Sequence, residues 1–65
     1  MEISKLVTVY NYSGINDTRP LRVELTTFLQ EDAGSQRIAQ ETISLSKEEA
    51  LEVIQKLQIE LDNLP

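Results

Sequence analysis

An α+β fold, a three-stranded antiparallel sheet (βββ) followed by one C-terminal helix packed on one face, is predicted for this 65-residue chain by three features. Residues 21–30 alternate apolar and polar; a short glycine-containing loop at 31–35 separates two strand-like runs; and Ser46-Lys47-Glu48-Glu49 heads an apolar stripe at helical spacing. A sheet with one apolar face and a helix with one apolar stripe are expected to cover each other. A chain of this length holds one such domain, residues 1–65.

Residues 3–12 (ISKLVTVYNY) are rich in the β-branched and aromatic types that suit a pleated strand. The polar stretch from Ser13 to Pro20 is dense in turn-forming residues. Residues 21–30 (LRVELTTFLQ) put Leu21, Val23, Leu25 and Leu29 on one side and Arg22, Glu24, Thr26 and Gln30 on the other. The loop Glu31-Asp32-Ala33-Gly34-Ser35 is short enough to force antiparallel pairing with a third, weaker strand at 36–45. In the helix, Ser46 and Glu49 form a capping box, the Ser46 hydroxyl accepting from the Glu49 amide while the Glu49 carboxylate reaches back. Ala50, Val53, Ile54, Leu57, Leu61 and Leu64 then fall on one helix face.

The expected core is Leu21, Val23, Leu25, Leu29, Ile43 and Leu45 against that stripe, with Ile3, Val7 and Val9 if the odd positions of the first strand face inward. One helix covers one side of a sheet, so the even positions are then uncovered. Leu6, Tyr10, Tyr12, Arg22 and Phe28, which include all three aromatic residues, are the candidate partner-binding residues. The alternation of residues 3–12 also permits the reverse, with the tyrosines in the core. Covering the aromatic face by two-fold association gives a homodimer as the expected assembly.

Composition narrows the chemistry. A hydrophobic fraction of 40% with 26% charged residues fits a globular chain. Eleven acids against six bases, a net charge of −5, oppose binding to nucleic acid or anionic lipid, both of which draw on excess Lys and Arg. With no cysteine and no histidine, disulfides and the usual zinc frameworks are excluded. No apolar run approaches the ~20 residues a membrane helix needs. Met1-Glu2-Ile3-Ser4-Lys5 lacks the apolar core of a signal peptide, so a cytoplasmic location is expected.

Glu24 and Glu41 could be cross-strand neighbours if the second and third strands pair suitably, but an open sheet face gives such a pair no cleft. Asp17 with Asn16, and Glu31 with Asp32, lack the ligand spacing of a calcium loop and read as turn residues. Two glycines, at 14 and 34, build no phosphate loop. No catalytic, cofactor or metal residues are therefore nominated, and no enzyme activity is expected.

The order of strand, glycine-containing turn, strand and acidic hairpin, then Thr42-Ile43-Ser44-Leu45-Ser46 running into a helix, faintly resembles the small transcriptional-coactivator family of single-stranded-DNA binders. The resemblance implies a curved sheet, a dimer, and bases stacked on Tyr10, Tyr12 and Phe28. The strands depart from that family's basic character, offering only Lys5, Arg22 and Arg37 beside Glu24 and Glu41. The leading expectation is a small acidic protein-binding module, an adaptor, regulator or inhibitor of the phage or mobile-element type. The alternative is a weak single-stranded nucleic-acid binder using the aromatic face.

Overall fold

The β-branched and aromatic runs form three strands, β1 (Glu2–Asn11), β2 (Leu21–Glu31) and β3 (Gly34–Leu45), and the capped stripe forms one helix, α1 (Lys47–Asp62). This computed structural model describes residues 1–12, 14 and 17–65; the predicted turn at Ser13–Pro20 thus lies partly outside the described residues, at Ser13, Ile15 and Asn16. The strands form one sheet in the order β1-β2-β3, both pairs antiparallel. The βββα architecture is the one the sequence predicts, with boundaries moved by one or two residues.

The β2–β3 hairpin turns through Asp32 and Ala33, and Gly34 re-enters the sheet at φ 126°, a conformation open to glycine because it has no Cβ. The tightness of this turn lets β3 begin two residues earlier than anticipated. A register shift between Thr27 and Phe28 leaves Ile38 unpaired as a β-bulge. Beyond Asn11 the Tyr12 amide donates to the Pro20 carbonyl at 2.7 Å, extending the β1–β2 ladder by one bond.

Pairing fixes which residues share a face. Val9 lies opposite Val23, which lies opposite Ile43; Val7 lies opposite Leu25, and Leu21 opposite Leu45. The odd positions of β1 and β2 thus make one face with Ile43 and Leu45, as expected. The even positions make the other, with Tyr10 opposite Arg22 and Arg22 opposite Ser44.

The helix begins with the predicted capping box complete: the Glu49 amide donates to Ser46 Oγ at 3.1 Å, and the Ser46 amide donates to Glu49 Oε1 at 2.9 Å. Arg19, from the segment joining β1 to β2, grips the same carboxylate from outside. Its Nε and Nη2 donate to Glu49 Oε1 and Oε2 at 2.8 and 3.3 Å, a two-pronged ion pair that ties the helix start to the sheet end.

The expected core does not form within the chain. Among the described residues no apolar side chain is buried; only Thr26 and Thr27, at the centre of β2, are. Leu21, Val23, Leu29 and Leu45 are half-buried, and Val9 is 65% and Leu57 56% exposed. The helix touches the sheet where it leaves β3 and then runs out beside it, so the molecule measures 43 × 38 × 12 Å. Its radius of gyration is 15.2 Å, against about 11 Å for a compact chain of this length. The cause lies in the connection. Ser46 alone separates Leu45 from Lys47, whereas strand-to-helix loops that fold a helix back over its sheet usually take about 2–6 residues.

Two outcomes test the helix start. At fixed protein concentration, Ser46→Ala should lower stability by about 1 kcal/mol in denaturant titration; an unchanged midpoint would place the helix start elsewhere. Hydrogen bonds from Arg19 and from the Ser46 amide hold the Glu49 carboxyl at about 2, down from 4.5. A depressed folded-state value stabilises above the unfolded one, so this contribution is whole above pH 4.5 and disappears as pH falls toward 2. Glu49→Gln should flatten the loss of stability across that window, measured by acid titration of the helical circular dichroism.

Candidate functional site

Two surfaces stand out, one on each side of the sheet. On the odd side, β1, β2 and β3 contribute Val7, Val9, Leu21, Val23 and Leu45 to an apolar groove. The helix forms its other wall with Ala50, Val53, Ile54 and Leu57, and the open groove has a volume of about 410 Å³. Beyond the groove the same face continues through Leu25 and Ile43, the latter 52% exposed. Leu61 and Leu64 extend the helix stripe past the sheet and are 57% and 66% exposed. Of the charged residues on this face, Lys5 donates a hydrogen bond from Nζ to Thr27 Oγ1 at 2.8 Å, across the β1–β2 pair.

The even side carries the predicted binding residues in two groups. Tyr10 sits directly opposite Arg22, and the Arg22 guanidinium lies 5.0 Å from the centroid of the Tyr12 ring, a cation–π stack. Arg22 is held from behind: its Nη2 pairs with Asp17 Oδ2 at 2.7 Å, and its Nη1 donates to the Arg19 carbonyl. Asp17 Oδ1 accepts from the Arg19 amide at 2.9 Å, fixing the turn that carries both groups. Gly14 packs against the Tyr12 ring, where a Cβ would come within 2.7 Å of Tyr12 Cε1. Tyr10, Tyr12 and Arg22 are thus a pre-set cluster at the end of the sheet nearest the helix start.

Leu6 and Phe28 are not part of that cluster. Leu6 lies opposite Thr26, and Phe28 opposite Ser4 and Arg37. Six residues along β2 separate Phe28 from Arg22, about 20 Å at strand rise. Phe28 is half-buried, whereas Leu6 is 53% exposed. Between the two groups the surface is polar and internally bonded: Gln40 Nε2 donates to Glu24 Oε1 at 2.8 Å, and Arg37 Nη1 to Gln40 Oε1 at 2.9 Å.

Sequence reasoning treated the even face as the uncovered one because it assigned the odd face to the helix. The helix does flank the odd face, across the groove, but does not cover it, so both faces are open and the odd face is the more apolar. Gly14 and Asp17 were missed as parts of the tyrosine–arginine cluster; the signal was a glycine two residues after Tyr12 and an acid five before Arg22. Glu24 and Glu41 pair with Thr42 and Leu25 and so project to opposite faces, which removes them as a carboxylate pair. Asp17 acts as the turn residue expected, while Asn16 lies outside the described residues.

No helix among the described residues is long and apolar enough to cross a membrane. No family model, no curated protein and no solved structure matches the chain, so the resemblance to the single-stranded-DNA-binding coactivators gains nothing from comparison.

The cluster has a spectroscopic handle. The Glu24 carboxylate, hydrogen-bonding to the phenol and adding its negative charge, pushes Tyr10 above the ordinary value of 10.0. In a Tyr12→Phe background, where one tyrosine absorbs, Glu24→Gln should bring the phenolate absorbance titration back toward 10.0. An unshifted curve would separate Tyr10 from Glu24.

Proposed function

We propose that this chain is a non-catalytic protein-binding module, an acidic adaptor, regulator or inhibitor that completes its fold against protein and offers its even face to a partner. The observation that carries this reading is the absence, among the described residues, of any buried apolar side chain beside an open sheet face and an open helix stripe. Contiguous apolar surface of this extent on a small chain marks association with protein or membrane. The net charge of −5 favours protein over anionic lipid.

On the even face, tyrosine and arginine are the residue types that dominate binding hot spots. The stack of Arg22 on Tyr12, braced by Asp17 and Gly14, has already lost the side-chain freedom that binding would otherwise remove. A partner surface carrying positive charge suits the acidic chain through long-range steering. The second reading, a single-stranded nucleic-acid binder, is favoured by the same stack, since bases sit on aromatic rings and guanidinium planes. Asp17 and Glu24 beside it repel phosphate.

Affinity capture from the producing cell, at low and moderate salt, should retain a protein that the Tyr12→Ala/Arg22→Ala variant loses while keeping the parent's circular dichroism. Retention of no protein would contradict the proposal. Labelled oligonucleotides at low salt should show no binding at tens of micromolar; saturable binding that weakens with salt would decide for the nucleic-acid reading.

A further inference from the structure

We infer that the odd face and the helix stripe are covered by a second copy of this chain, each copy laying its stripe across the other's sheet about a two-fold axis. The inference rests on the reading of the chain as a protein-binding module and names the occupant of its open apolar groove.

Area is the first argument. A compact protein of 7.4 kDa exposes about 4,200 Å², and this chain exposes 5571 Å². Removing the surplus of about 1,400 Å² from each of two chains buries about 2,700 Å² in all, inside the range of roughly 2,000–5,000 Å² found for obligate homodimers. One interface between two copies therefore accounts for the excess without a further partner.

Complementarity is the second. The sheet face and the helix stripe flank one groove but bury nothing between them, so one chain holds both halves of the missing contact. A two-fold axis brings each half to its counterpart twice, which is the self-matching an isologous interface requires. The third argument is direction. The one-residue connection at Ser46, the completed capping box and the Arg19–Glu49 pair hold the helix beside its own sheet, so that the stripe and the odd face line one open groove without closing on each other. Neither half carries a run of charge that would repel a second copy: the odd face holds Lys5 and Glu41 at opposite edges and Glu31 at the hairpin end.

The intact chain is tested by sedimentation equilibrium and circular dichroism on the same samples. The expected mass is twice 7.4 kDa. Val9→Glu and Leu57→Glu, at positions 65% and 56% exposed in the isolated chain, should each abolish the dimer, with or without loss of folding. Because the chain has no cysteine, a cross-link tests the geometry without charge. Val9→Cys and Leu57→Cys chains, mixed and mildly oxidised, should join to each other in preference to themselves. A dimer without that mixed cross-link would overturn the exchange of helices. A chain unfolded at every concentration would overturn the second copy as occupant while leaving the module reading, since a different protein would then complete the fold. A folded monomer indifferent to both glutamate substitutions would overturn the inference and the module reading together.

Discussion

Burial of apolar surface is the constraint on which everything else in this molecule depends. Folding must offset the conformational entropy of the backbone, about 1–2 kcal/mol per residue, and removing a Val, Leu or Ile side chain from water returns roughly 1.5–3 kcal/mol. The sheet and helix hold more than a dozen such side chains, yet one chain by itself encloses none of them among its described residues. The hydrogen-bonded ladders of β1, β2 and β3 cannot make up the difference, because each bond replaces one made to water and nets about 1 kcal/mol. On the proposed reading, a second chain supplies the apolar burial that this one lacks.

The direction of the helix leaves that apolar surface open. Ser46 is at once the last residue of the connection and the cap of the helix, so the chain has no slack with which to fold α1 over its sheet. Arg19 reinforces the geometry from the β1–β2 segment by gripping Glu49, the same residue that closes the capping box. The same segment supplies Asp17, which holds Arg22 over Tyr12 on the opposite face. One turn thus bears on both the helix start and the tyrosine–arginine cluster.

Much of this was legible in the residues. The alternation from Leu21 to Leu29 identified the central strand and its apolar face, and the Ser46–Glu49 spacing located the helix start to the residue. Tyr10 and Arg22 share a face for the same reason, since each strand's period of two carries through the register. What the pattern could not reveal was where the two apolar surfaces meet. Periodicity states that a stripe and a face are apolar; it does not state that they belong to the same chain's core. The clue was the lack of any loop between Leu45 and the Ser46 cap, which a prediction built on periodicity passes over. The separation of Phe28 from the tyrosines was hidden for a different reason: sharing a face says nothing of distance along it.

The most direct test of this account is a dilution series followed by circular dichroism, with thermal unfolding recorded at each concentration. If apolar burial between chains holds the fold, the sheet and helix signals should vanish together on dilution, and the unfolding midpoint should rise with protein concentration. Full sheet and helix signals with a midpoint independent of concentration would show that a single chain encloses its own core, and would contradict the account.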